Sequence, residues 1–280
     1  MLLSACDRVP LSPVTVYVPT EFEEQAKAWL PESGLAVTVI AGDSAANTDL
    51  IIAKQDSPRA DVLITSGVLD VWNAAENSAL RPISSESFEN VPTVFRDPDR
   101  FWAAIAPRNI IIGTAPGLEI MGVIDLHKLA APELKGKVCL SSSSRADNRA
   151  LIAMLIAEMG NRPAERVVRG WVRNLARAPF ASESELVESL RTAECVYGII
   201  SSATDTKGIW PIELATGYYN IRGVGVARHA QYPDAAQELV DWMLKHRPLA
   251  EPLTSNSLNV GRAGWFDEEA RLLAERAGYR

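Results

Sequence analysis

Five short polar segments carry most of the chemistry open to this chain: Thr20-Glu21, Asp43-Ser44, Ser66, Ser141 to Arg145, and Ser201 to Asp205. Each stands near the end of a short Val/Ile-rich run of strand character. Hydroxyls at such places accept hydrogen bonds from the orphan amides that open a helix, and an acid three residues on completes the cap. Thr20 precedes Glu23 and Ser144 precedes Asp147 in this way. Free N-H groups at helix starts also favour anions. A hydroxyl of this kind either caps its own helix or faces a ligand as well, and both readings stand for each segment.

The segment VCLSSSSRADNRALIAMLIAEMGNRP is the most concentrated of the five. Leu151, Ile152, Leu155, Ile156 and Met159 recur at helical spacing, Gly160 fits a stop, and Pro163 opposes continuation. Ser142, Ser143, Ser144 and Arg145 therefore sit at the positive end of a well-marked helix. An anionic ligand there would meet amide dipoles, hydroxyls and a guanidinium together. The pattern leaves open whether Arg145 turns inward or to solvent.

These segments need a scaffold that brings them together. Strand candidates at Val14 to Val18, Val37 to Ile40, Asp61 to Ile64, Val138 to Leu140 and Val196 to Ile200 alternate with helical patterns. That alternation marks an α/β fold with a largely parallel sheet wrapped by helices. In such sheets ligands sit in the crevice beyond the carboxyl ends of the strands, where the polar segments lie. The 280 residues, 47% hydrophobic and 22% charged, suit two lobes with a core each. A net charge of -7 argues against a general nucleic-acid binder, whose footprint must be positive.

Leu3-Ser4-Ala5-Cys6 has the form of a bacterial lipobox, with Cys6 as the lipidation site and residues 1–13 as lipobox and tether. The basic and apolar regions of a secretory signal do not stand ahead of it, so either the chain starts inside a longer signal or the match is accidental on a frayed terminus. The expected location is periplasmic, anchored to the membrane if Cys6 is acylated. Cys139 and Cys195 are then left as a pair, free either to bridge in an oxidising compartment or to serve as small buried apolar residues. No CxxC spacing supports zinc or thioredoxin chemistry.

Three further features point to less. His127, His229 and His246 share no ligand spacing. The seven tryptophans suit cores and lobe contacts, although Trp72, Trp102 and Trp210 are candidates for touching a ligand. Gly42-Asp43-Ser44 after a strand is similar to the nucleophile loop of GDSL-type esterases, whose serine needs a histidine three residues after an aspartate. Val226 and Met243 occupy that place before His229 and His246. No catalytic residue is assigned, and the chain is read as a non-enzyme.

GWVRNLARAPFASESELVESLRTAECVYGIISSATDTK, from Gly170 to Lys207, resembles the C-terminal lobe of the periplasmic ferric-iron-binding proteins that serve ABC importers. VTVYVPTEFEEQAKAWL, RADVLITSGVLDVWNAAENSALRPI and YYNIRGVGVARHAQYPDAAQELVDWMLKH resemble, in order, that family's first strand and helix, its cleft-lining stretch and its return segment. The resemblance implies a two-lobed type II periplasmic-binding-protein fold of mixed sheets flanked by helices. It places lobe one at 14–105 plus 223–280 and lobe two at 106–222, with crossing hinge strands near 104–112 and 220–226.

The resemblance also implies solute capture by hinge closure, a monomer, and an ABC permease as partner. The ligand set it implies is Thr20, Glu21, Asp43, Ser44, Ser66, Ser142, Ser143, Ser144, Arg145, Ser201, Ser202, Thr204 and Asp205. The family's paired tyrosines, whose phenolates grip iron, are replaced here by residues in the run Ser201-Ser202-Ala203-Thr204. Glu21 and Asp205 remain as weak candidate metal ligands. Tyr218 and Tyr219 precede the return strand, and packing or a hinge is their expected role. No cofactor is expected. The cargo is ferric iron as a chelate or with an anion, or else a small oxyanion or organic acid.

Overall fold

In a computed structural model, residues 13–55, 57–117, 125–246 and 258–280 are described; the Cys6 lipobox lies outside them. The first lobe opens with β1 (Val14–Pro19), α1 (Glu23–Trp29), β2 (Val37–Gly42), α2 (Ser44–Ala53), β3 (Val62–Ile64), α3 (Val68–Glu76) and β4 (Leu80–Arg81). β5 (Ala103–Thr114) leads into the second lobe, built on β6 (Val138–Cys139), α4 (Ala146–Met159), α5 (Asn161–Arg173), α6 (Glu183–Arg191), β7 (Tyr197–Ser201) and β8 (Trp210–Ile212). β9 (Tyr219–Ala227) returns the chain to the first lobe, followed by α7 (Pro233–His246), α8 (Gly261–Gly264) and α9 (Asp267–Ala277).

β1 runs parallel between β2 and β3, and all six of its residues are buried, as a central parallel strand covered on both faces requires. β3 pairs antiparallel with β9, and β9 with β5. β5 then changes sheet within its own length: Ala103 to Asn109 pair with β9, while Ile110 to Thr114 pair with β7. β6 joins β7 in parallel, giving the order β2-β1-β3-β9-β5-β7-β6. β5 and β9 are the strands that pass between the two halves of the sheet, and the sheets are mixed.

α4 is buried along Ala150 to Ile156 because α5, α8 and α9 all pack on it, which explains an apolar pattern broader than one stripe. That packing corrects one boundary. The stretch 223–280 was expected to belong to lobe one, but α9 lies on α4 and α5 of lobe two, and α8 touches both α3 and α4. Sequence order favours returning to the first lobe, whereas the apolar face of α9 is buried where α4 leaves room. Cys139 on β6 and Cys195 just before β7 form a disulfide with a Cα–Cα distance of 5.9 Å, tying two neighbouring strands. Among the described residues no helix is long and apolar enough to cross a membrane.

Candidate ligand-binding cleft

The carboxyl ends of β1 and β3 deliver the first wall. Glu21 lies in the turn after β1 and accepts a hydrogen bond from the Ser66 hydroxyl beyond β3. Asp43 caps α2 through Ala46 N at 2.9 Å. Ser44 is buried; its hydroxyl donates to Asp70 Oδ2 at 2.6 Å and accepts from Ser66 N at 2.9 Å. Burial pushes the Asp70 carboxyl above its ordinary range, against the lowering effect of Ser44 and Arg149.

The crossing strands supply the floor. Arg108 on β5 donates to Asp147 Oδ1 at 2.8 Å and to the Ser66 carbonyl. Asn220 on β9 donates to the same Asp147 oxygen at 2.7 Å and accepts from Val68 N at 2.9 Å. Asp147 opens α4 and Val68 opens α3, so one polar knot joins the two lobes where the strands cross. Gly67 is needed beside it, since a Cβ there would come within 2.9 Å of Asn220 Nδ2 and 3.2 Å of Ala146 Cβ. The Arg222 guanidinium stands 3.9 Å from the centre of the Phe22 ring.

The second wall comes from the start of α4, the start of α6 and the end of β7. Asn148 Nδ2 reaches Ser141 O, Ser141 Oγ and Ser142 O, and so folds the serine loop back onto its own helix. Glu183, at the first turn of α6, is buried and accepts from the Thr204 hydroxyl and from Ser201 N at 3.3 Å. Burial, helped by Asp147, pushes the Glu183 carboxyl up, and Thr204 and Arg145 only partly oppose it. Arg145 turns inward, and its buried Nε has no hydrogen-bond partner among the described residues.

The cavity so enclosed has a volume of about 400 Å³. Of the residues singled out in the sequence, Glu21, Asp43, Ser44, Ser66, Ser144, Arg145, Ser201 and Thr204 line it. Five expected contacts are absent from its lining. Thr20 is outside it, and Ser142 and Ser143 face the groove beside α9, where the Ser143 hydroxyl reaches Tyr279 O at 3.1 Å. Ser202 is spent on Asn109 across the β5–β7 junction. Asp205 pairs with Arg191 at 3.4 Å, away from the cleft. The reason is common to Ser142, Ser143, Ser202 and Asp205: the loop conformation assigns each polar side chain to the nearest unsatisfied group, which spacing alone cannot identify.

Six charged lining residues were not singled out as ligand groups: Asp70, Arg108, Asp147, Arg149, Glu183 and Arg222. A signal existed for two of them, because Arg108 in AAIAPRNIII and Arg222 in YNIRGVGVA are lone charges inside strand segments. Such charges are costly unless paired or functional. Among the described residues no group of three or more His, Cys, Asp or Glu is placed to hold a metal. The metal candidates Glu21 and Asp205 do not converge, since only Glu21 lines the cleft.

The tyrosines expected to pack do so: Tyr218 bonds Glu158, and Tyr219 meets Phe95 at 5.2 Å. None of the three histidines lines the cleft, and neither do Trp72, Trp102 or Trp210. Ser44 donates its hydrogen to Asp70, and no histidine lines the cavity in the place that a GDSL-type esterase gives its base.

No family model matches the chain. It is 25% identical over 277 residues to iron uptake protein A1 of Synechocystis, covering 87% of this chain and 77% of that one. Among solved structures it is similar to the Trichodesmium protein IdiA (FutA) in complex with iron and citrate, with a TM-score of 0.85 and 22% identity over 96% of this chain and 100% of the other. The Campylobacter jejuni ferric binding protein gives a TM-score of 0.84 at 19% identity, covering 95% and 100%. The fold is the type II periplasmic-binding-protein fold.

Proposed function

We infer that this chain, a member of the ferric-iron-binding class of ABC-transporter solute-binding proteins, is an extracytoplasmic binding protein that captures its cargo by hinge closure. The observation that carries this reading is the cavity itself, in which Glu21, Asp43 and Ser66 from one lobe face Ser144, Arg145 and Thr204 from the other over two crossing strands. A ligand touching both walls stabilises the shut form by contacts that the open form lacks. The shut surface is then what an ABC permease recognises. No step of bond making is part of this function.

Iron enters this cleft as a chelate. Fe(III) is a hard cation that takes anionic oxygen, and the cleft offers it no phenolate and no clustered acids among the described residues. An organic oxyanion already wrapped around the metal supplies that coordination, and the protein then binds the outside of the complex. Acylation of Cys6, which would hold the protein at the membrane, and a monomeric state are parts of the same proposal.

The experiment is a thermal-shift and small-angle scattering series with ferric citrate. At about 100 times its Kd a ligand adds about 2.7 kcal/mol of stability, so a clear rise in Tm together with a smaller radius of gyration is expected. Neither change at millimolar ferric citrate would remove this cargo from the reading.

A further inference from the structure

The outer face of α5 is made of arginine alone. Arg162, Arg166, Arg169 and Arg173 are the exposed residues of this helix, while Ala164, Val167, Val168, Gly170 and Trp171 are buried against α4, α9 and the chain near Ala130. Steps of four, three and four residues keep the arginines in one row, about 16 Å long. Lys137 extends the row past the helix end: it is exposed, and its amide donates to the carbonyl of Asn174, the residue after Arg173, at 3.2 Å.

Like charges three and four residues apart repel, so this row works against the stability of its own helix. The exposed side of α9 is built the other way, with Arg271 paired to Glu268 at 2.7 Å and to Glu275 at 3.7 Å. Glu165 does little to neutralise the row, because Arg169 at 2.7 Å and Arg276 of α9 at 3.3 Å already share it. Arg162, Arg166, Arg173 and Lys137 have no ion pair among the described residues. On a chain of net charge -7, such a row is a local excess of the opposite sign.

We propose that the arginine face of α5 docks the second lobe on an anionic lipid bilayer, with its guanidinium groups on the headgroup phosphates. A protein partner would be anchored by aromatic or aliphatic side chains at the centre of the contact, and this face offers none. Headgroup phosphates form a mobile array that needs no fitted pocket, and the planar guanidinium fork takes phosphate oxygens two at a time. This contact does not depend on what the cleft binds.

The test is co-sedimentation of the whole chain, carrying Cys6→Ser so that no acyl chain contributes, with vesicles of phosphatidylglycerol and phosphatidylcholine in equal parts. Binding is expected at ~0.1 M salt, little at ~0.5 M salt, and none to phosphatidylcholine alone. Each cation at such a surface contributes roughly fivefold, so Arg162→Gln/Arg166→Gln/Arg173→Gln should bind about a hundredfold more weakly. Its Tm should match the parent, and lysine at the same three positions should keep most of the binding. Lys54→Gln/Arg59→Gln, which removes exposed cations of the first lobe, should bind as the parent does. No binding to the anionic vesicles, parental affinity in the triple glutamine variant, or loss in the first-lobe variant instead would each overturn the assignment. Capture by poly-L-glutamate without binding to vesicles would make the partner an acidic polypeptide and overturn it too.

Discussion

Arg149 on α4 stands 3.5 Å from Asp70 on α3, across the boundary between the lobes, and holds Asp267 at the start of α9 with the same guanidinium. Asp70 is buried and fixed by Ser44, so it has little freedom to find another cation. The pair therefore ties the first lobe to the helix layer of the second, beside the cavity that Arg149 helps to line.

Arg149→Met removes the cation and leaves Asp70 buried, at a cost of about 3 kcal/mol. Burial already raises the Asp70 pKa, and losing Arg149 raises it further. An acid whose folded pKa lies above its unfolded one stabilises the fold at low pH, and that contribution fades as pH rises through the folded value. The variant's loss should thus be larger at pH 8 than at pH 5 in urea unfolding, and Asp70→Asn should recover part of it. A loss that does not depend on pH would contradict the assignment.

The Cys139–Cys195 bond closes a separation of 56 residues. On the chain-entropy model a loop of that size is worth about 4 kcal/mol. Denaturant midpoints of the Cys139→Ser/Cys195→Ser protein should fall accordingly, and reductant should lower the wild type toward the same value. A reductant effect equal in both proteins would show that the thiols are not joined.

Gly170 sits where α5 meets the chain at Ala130. A Cβ at this position would come within 2.4 Å of Ala130 Cβ and 2.8 Å of its backbone, which no side-chain rotation relieves. Gly170→Ala should cost about 1–3 kcal/mol. Adding Ala130→Gly should restore only part, because the backbone clash persists; full recovery would place the strain elsewhere.

Asp241 on α7 has its ionisation opposed by burial, yet hydrogen bonds from Lys245, Ser85 and Ser87 prevail and hold its pKa down to about 2. The stability this confers is present above the unfolded pKa near ~4 and is lost as pH falls through about 2. Asp241→Asn should lower stability at pH 7 by at most about 2 kcal/mol, since the group is partly solvated. The gap between variant and wild type should close on acidification, as Tm measured from pH 7 to pH 2 would reveal.

Much of the cleft was legible before any coordinates. β1, β2, β3 and β7 lie within a residue or two of their Val/Ile runs, and Glu21, Ser44, Ser66, Ser201 and Thr204 face the cavity because strand ends in such sheets share one edge. Glu183 was not legible. ASESELV offers two acids near one helix start; Glu185 closes the capping box with Ser182, and the fold turns Glu183 toward Thr204.

Local order along the chain determined which segments become strands and helices, and that these end in hydroxyls, acids and an arginine, because backbone propensity and hydrophobic period act over a few residues. It also determined that no tyrosine pair directly follows β7, where Ser202, Ala203 and Thr204 stand. Only the packed molecule decided which of those groups share a space: Arg145 inward and unmatched, Ser143 drawn off to Tyr279, Asp205 to Arg191, and α9 laid on the second lobe. Charges choose partners by distance and desolvation, and both are properties of the assembled lobes.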